Sequence, residues 1–273
     1  MLRQAIIPLA GLGTRLLPLS SITPKELLPI NGKSNLEHIL DECIDAGITE
    51  FIFIISKKKE SIRKYFFNDQ FYNSILSKKK DKRINKVFKK MQKYQKMIKF
   101  VYQNNPKGTG DAILKCKKYI KGSHFLMLFP DDLIIKKNCT KEMIELYKKT
   151  KNSIIATKIV KREEVSRYGI LSLKNKKKNY FTIKDVVEKP SIKNTPSNYA
   201  IIGRYILPKK IMLKLKNLKP GLGNEIHITD AIKQLIKNGE KFYGNIFKGK
   251  YLDCGTLDGY INSGYQMSKE KKK

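Results

Sequence analysis

Ile6-Ile7-Pro8-Leu9-Ala10-Gly11-Leu12-Gly13-Thr14-Arg15-Leu16-Leu17-Pro18 carries an apolar run straight into a glycine loop with a cation. A short aliphatic run bounded by glycine reads as a buried strand. The glycines let main-chain N–H groups approach an anion closely, and the turn that follows can aim several of them at one phosphate. The stretch therefore predicts a phosphate site at the end of a first strand, with a plain tight turn as the alternative. It is not a dinucleotide fingerprint, which needs a third glycine where Leu16 stands and an acidic residue near Ile55-Ser56-Lys57. The Walker pattern is absent as well.

Outward from this stretch, similar short apolar runs recur at Phe51 to Ile55, Ile98 to Tyr102 and Phe125 to Phe129. Between them, Leu36 to Ala46, Asp111 to Tyr119 and Lys141 to Thr150 carry helical periodicity. Strands alternating with helices predict an α/β chain built on a doubly wound sheet. Further on, Ile154 to Val160, Gly169 to Leu173, Thr182 to Val187 and Tyr199 to Leu207 read as strands, and Ile226 to Asn238 as a helix stopped by Gly239. Lys57 to Lys96 is lysine-dense, with apolar residues at helical spacing, and reads as a helical excursion that could serve as a subunit contact.

At 273 residues, with 41% hydrophobic composition, the chain is long enough for a real core. The formal charge of +33 points first to a nucleic-acid partner. Only seven of the 57 basic residues are arginine, however, and the lysines are spread along nearly the whole chain. Proteins that read phosphates and bases lean on the arginine fork, so the surplus reads mainly as solvated surface. The four cysteines show no C-x-x-C pair and the three histidines no ligand spacing, so neither a zinc site nor a disulfide scaffold is signalled. The apolar start is broken by Gly11, Gly13 and Arg15 before a cleavage pattern, and no stretch is long enough to span a membrane. A reducing cytoplasm is the expected location.

Leu9-Ala10-Gly11-Leu12-Gly13-Thr14-Arg15, followed by Pro24-Lys25-Glu26-Leu27-Leu28-Pro29, resembles the sugar-nucleotide pyrophosphorylases, specifically the bacterial UTP–glucose-1-phosphate uridylyltransferases. Matching segments recur in order from about Arg3 to Tyr265: Asp41 to Ile44, Ala46 to Glu50, Phe129-Pro130-Asp131, Tyr168-Gly169, Val187-Glu188-Lys189-Pro190, Ala200 to Tyr205, Asn224 to Ile226, Thr229 to Ile232 and Asp253-Cys254-Gly255. The resemblance implies a Rossmann-like, GT-A-like mixed sheet flanked by helices. It implies one nucleotidyltransferase domain over 1–268, with a nucleotide-binding half to about 150, a sugar-binding half beyond it and a basic tail at 269–273. Small-molecule substrates are expected as partners, with no specific nucleic acid, no membrane, and a homo-oligomer, dimer or tetramer.

By the same resemblance, Ala10, Gly11, Gly13 and Thr14 receive the nucleotide, Arg15 and Lys25 face the triphosphate, and Glu26, Gln103 and Gly108 contact uracil. Read alone, Glu26 is equally a surface carboxylate and Gln103 a loop amide; either can still read a base edge by hydrogen bonds. Gly169, Glu188 and the main chain near Ile201 match glucose contacts, and Lys189 matches the lysine that grips the sugar's phosphate. Asp131 and Asp253 match the pair that holds Mg²⁺, the implied cofactor. Two acids converging from distant segments would repel without a hard cation between them, whereas each alone reads as a turn or cap aspartate. Asp132 is an added carboxylate, expected to point away from the metal. A thymidylyltransferase acting on the same sugar shares the glycine loop and the acids. A basic nucleic-acid-binding protein on a degenerate enzyme scaffold is the alternative from another class.

Overall fold

The structure, a computed structural model, describes residues 2–270. Its strands are Gln4–Pro8 (β1), Pro29–Ile30 (β2), Lys33–Ser34 (β3), Glu50–Ile55 (β4), Ile98–Tyr102 (β5), His124–Leu128 (β6), Asp132–Ile135 (β7), Ser153–Ile159 (β8), Gly169–Lys174 (β9), Tyr180–Glu188 (β10), Tyr199–Pro208 (β11), Phe242–Ile246 (β12) and Lys250–Asp253 (β13). Its α-helices are Asn35–Asp45 (α1), Glu60–Phe66 (α2), Asp69–Leu76 (α3), Lys82–Gln95 (α4), Thr109–Lys115 (α5), Cys139–Thr150 (α6), Ile211–Asn217 (α7), Ile228–Lys237 (α8) and Leu257–Glu270 (α9).

The apolar runs form strands because both of their faces are buried. In β1, Ala5 and Ile7 enter one hydrophobic cluster and Ile6 the other; in β4, Phe51, Phe53 and Ile55 alternate with Ile52 and Ile54 in the same way. A strand sandwiched between helical layers reads as a continuous apolar run rather than an alternating one. Helices α1, α2, α4 and α6 supply apolar residues to the first cluster, and α5, α7 and α8 to the second. The sheet is doubly wound, as expected.

Nine strands form one sheet in the order β5-β4-β1-β6-β11-β8-β12-β10-β9. The first four are mutually parallel, and β11 enters antiparallel beside β6, which makes the sheet mixed. From β1 the chain winds outward through β4 to β5 and then returns to place β6 on the other side of β1. That reversal leaves a crevice at the carboxyl ends of β1 and β6, where open α/β sheets bind ligands.

Two stretches go beyond the sequence reading. Phe242–Ile246, which that reading leaves unassigned, forms β12, parallel to β8, with Gly244 at its centre. The glycine is there because a side chain would run into the ring of Phe181 on β10. The second is the tail: Lys269 and Glu270 complete α9 instead of forming a loose basic end, and residues 271–273 lie outside the described residues.

The lysine-dense excursion folds back onto α1. Tyr65 and Lys90 donate to Glu37 at 2.6 and 3.1 Å, and Tyr94 donates to Asp41 at 2.6 Å. Its apolar residues Ile62, Phe66, Met91 and Tyr94 are buried in the core, and of its lysines Lys59 is buried as well. No helix among the described residues is long and apolar enough to cross a membrane.

Candidate active site

A cleft of about 600 Å³ opens at the carboxyl ends of the parallel strands. All fifteen residues expected at the site line it: Ala10, Gly11, Gly13, Thr14, Arg15, Lys25, Glu26, Gln103, Gly108, Asp131, Gly169, Glu188, Lys189, Ile201 and Asp253. They come from the ends of β1, β5, β6, β10 and β13, from the start of β9, from β11, and from the turns that follow β1.

The glycine loop leaves β1 with Gly13 in the left-handed region at φ 72°, packed against Ser20. A Cβ added to Gly11 would meet nothing within 4 Å and would project into open space on the cleft wall. A Cβ on Gly108 would instead fall 2.7 and 2.8 Å from the carbonyl oxygen and nitrogen of Ile226, at a backbone φ of 97°. The two glycines therefore serve different ends. Gly11→Ala should keep stability within about 0.5 kcal/mol while weakening nucleotide binding. Gly108→Ala should cost about 1–3 kcal/mol of stability through overpacking and backbone strain. Denaturant titration alongside nucleotide titration checks both.

The convergence of the two acids is a matter of strand register. Outside the main sheet, β13 pairs antiparallel with β7, with Asp253 opposite Asp132, and Cys254 N–H donates to the Asp131 carbonyl at 2.8 Å. Asp131, the residue before β7, and Asp253, the last of β13, about 120 residues apart in sequence, are thus brought side by side. A Cβ placed on Gly255 would lie 2.9 Å from Asp131 Oδ2, 3.1 Å from Asp253 Oδ1 and 3.1 Å from an Arg15 guanidinium nitrogen. Both carboxylates therefore border one small space.

Each acid has a cationic partner. Lys25 Nζ lies 2.5 Å and Arg15 Nη2 3.7 Å from Asp131 Oδ2, and Arg167 Nη2 lies 2.9 Å from Asp253 Oδ2. Burial alone would lower the Lys25 pKa, but Asp131 and Glu26 outweigh it and hold the ammonium above its usual value. Burial likewise works against the Asp131 charge, yet Lys25 holds that carboxyl below the usual aspartate range. Asp132 also lines the cleft, accepts from the Tyr251 hydroxyl at 2.6 Å, and is pushed up to about 7 by burial and by the Asp131 charge.

These residues fit a hard cation. Mg²⁺ takes one or two carboxylates and completes its shell with water and substrate phosphate oxygens, and here two carboxylates face one space beside the glycine loop. Among the described residues no group of three or more His, Cys, Asp or Glu could hold a metal ion alone. A cation at Asp131 and Asp253 would therefore need oxygens from substrate or water.

At the far end of the cleft, Glu188 Oε2 accepts from Thr229 Oγ1 at 3.0 Å, and a Cβ on Gly169 would meet Ile201, Glu188 and Thr229 within 3.4 Å. Lys189 follows in a left-handed conformation, φ 45°, with its N–H donating to the Tyr168 carbonyl at 3.0 Å. A lysine held in that sparsely populated region marks a site where the surroundings dictate the backbone.

Several neighbours lay beyond the sequence reading. Lys59 Nζ holds both oxygens of Glu26 at 2.8 and 2.9 Å, so the carboxylate expected at uracil sits in a buried ion pair. Burial raises the Glu26 pKa and lowers that of Lys59 despite the pairing, the mark of a pair whose desolvation is costly. Lys59 is hidden in the run Lys57-Lys58-Lys59, where no local signal separates it from solvated lysines. Arg167 was legible in principle, as one of only seven arginines, two positions before Gly169. Thr229 lay inside a matching segment without a role.

The profile of the nucleotidyl transferase family matches residues 4–270. A UTP–glucose-1-phosphate uridylyltransferase of Mycoplasma pneumoniae is 35% identical over 96% of this chain and 91% of its own. A crystal structure of a UDP-glucose pyrophosphorylase complexed with UDP-glucose superposes with a TM-score of 0.87 at 34% identity, covering 99% of this chain and 100% of that one. A UTP-bound enzyme of the same kind from Acinetobacter baumannii gives a TM-score of 0.83 at 29% identity, over 98% and 93% of the two chains. With sequence, fold and cleft in agreement over nearly its whole length, the chain belongs to the nucleotidyl transferase family, in its UTP–glucose-1-phosphate uridylyltransferase branch.

Proposed function

We propose that this chain transfers the uridylyl group of UTP to glucose 1-phosphate, releasing pyrophosphate and forming UDP-glucose. The observation that carries the reading is the gathering of a phosphate loop, two converging acids and the Glu188-Lys189 pair along one cleft. A phosphate oxygen of the sugar phosphate attacks the α-phosphorus in line, a new P–O bond forms, and the bond to the β-phosphate oxygen breaks. The nucleophile is already anionic, so no general base is needed; alignment and charge neutralisation are the protein's work.

Lys189 places the attacking phosphate, a task suited to a mobile point charge. Main-chain groups of Ala10, Gly11 and Gly13, with Thr14, receive the triphosphate. Arg15 and Lys25, which neutralise Asp131 in this structure, turn to the departing pyrophosphate. Gln103, Gly108 and Glu26 meet the base, and Gly169, Glu188 and Ile201 the glucose. Mg²⁺ held by Asp131 and Asp253 supplies charge neutralisation at the phosphates. We further place the enzyme in the cytoplasm as a dimer or tetramer.

The relatives' names favour uridylyl over thymidylyl transfer, and a nucleic-acid module would have no need of the occupied chemical positions. Pyrophosphate release measured over a matrix of nucleoside triphosphates and sugar phosphates tests the reading. UTP with glucose 1-phosphate should be the fastest pair. Equal or faster release with dTTP moves the chain to the thymidylyl branch, and no release with any pair refutes transfer.

A further inference from the structure

Just past β5, Gln103 is anchored by its N–H on the Ile55 carbonyl at 2.8 Å, and its side chain lies on the cleft wall, 3% exposed. Its amide nitrogen Nε2 donates to Asp111 Oδ2 at 2.6 Å. Asp111 stands in the first turn of α5, is itself buried, and does not line the cleft; its other oxygen faces Lys115 at 3.7 Å. The carboxylate is thus a support behind the amide.

A primary amide is a two-ended reader: either its oxygen or its nitrogen can face a ligand, and rotation exchanges them. A carboxylate accepts and cannot donate. With Asp111 behind it, the nitrogen must face the support, and the oxygen Oε1 is left for the cleft. The orientation follows from the chemistry of the partner.

We propose that Asp111 is a positioning residue that sets base choice by locking Gln103 with its amide oxygen toward the nucleotide, which makes the site accept pyrimidines with an N3–H and reject cytosine. This rests on the uridylyl-transfer reading and on Gln103 meeting the base. Uracil and thymine both present an N–H at N3, which Oε1 accepts. Cytosine presents a lone pair there, so the same oxygen opposes it with no rearrangement available. A site built around one hydrogen-bond polarity discriminates strongly, because the wrong ligand leaves buried polar groups unpaired. The 5-methyl group lies on the opposite side of the question, so this lock does not separate UTP from dTTP.

The test is steady-state kinetics of Asp111→Asn against the unaltered protein with UTP, dTTP and CTP, each with glucose 1-phosphate. Asparagine can donate as well as accept, which frees Gln103 to rotate. The expected result is a rise of about tenfold or more in the CTP-to-UTP ratio of kcat/KM, the scale of one hydrogen bond exchanged for a repulsive contact. The change should fall more on KM than on kcat, and the dTTP-to-UTP ratio should stay as it was. A merely structural role would lower all three triphosphates together; unchanged ratios in a folded variant overturn the proposal. Asp111→Ser, which also donates and accepts, must give the same shift and serves if the asparagine variant does not fold. Failure of the parent reading is distinct: the unaltered protein would then release no pyrophosphate from UTP at all.

Discussion

Asp131→Ala is expected to lower kcat/KM for UDP-glucose formation by roughly 10²–10³-fold, about 2.7–4 kcal/mol of transition-state stabilisation on the scale of one lost electrostatic group. The carboxylate borders the space at Gly255 together with Asp253, and it is the partner of Lys25 at 2.5 Å. Its removal takes away one of two candidate metal ligands and also leaves Lys25 buried without its nearest counter-charge. The fold should survive, because the loop is also fixed by the Cys254 N–H on the Asp131 carbonyl. Continuous pyrophosphate detection, with circular dichroism to verify folding, checks both parts. Lys189→Ala in the same assay should raise KM for the sugar phosphate. Near-unaltered turnover in Asp131→Ala would remove this residue from the chemistry.

Arg204→Met should destabilise the protein by about 3–5 kcal/mol, the cost of leaving the other half of a buried ion pair uncompensated. Arg204 is fully buried; Nε and Nη2 reach the two oxygens of Glu42 at 3.0 and 2.7 Å, and Nη1 donates to the Asp132 carbonyl at 2.5 Å. Burial alone would lower the guanidinium's pKa, but Glu42 outweighs it and holds the group above its usual value. Glu42 also accepts from the N–H and hydroxyl of Thr140 at 3.1 and 2.7 Å. One cluster thus ties α1, α6 and β11 to the backbone of the strand that follows Asp131. The double substitution Arg204→Met with Glu42→Met should recover most of the loss, since an apolar pair of similar volume removes both charges. Denaturant midpoints of Arg204→Met, Glu42→Met and the double variant measure it. Additive losses in the double variant would show that the pair is not coupled.

What the sequence made legible follows from how each feature is encoded. The central strands were read to within a residue or two because burial on both faces demands a continuous apolar run, and β5 at Ile98–Tyr102 was read with both ends in place. The strand at Phe242–Ile246 was missed because its glycine answers to the Phe181 ring across the sheet, a neighbour no local pattern records. Site residues were named through matching segments, and the cleft gathers them. How Asp131 and Asp253 meet was not legible, since the β7–β13 register is a long-range pairing between short strands.

Charge background explains the rest. Lys59 is one lysine among three in a row, and only its position behind Glu26 distinguishes it. Glu42 and Arg204 lay inside segments quoted for the resemblance, yet their role as a buried pair required the fold. Asp111 was named only as the start of a helical stretch, and its hold on Gln103 emerges only when β5 and α5 are placed side by side.

The most direct test of the account supplies UTP labelled at the α-phosphorus together with glucose 1-phosphate and Mg²⁺, and follows the label. The label should move into UDP-glucose in step with pyrophosphate release, and chelating the divalent cation should stop both. Label recovered in uridine monophosphate, or release that ignores the sugar phosphate, would contradict uridylyl transfer at this cleft.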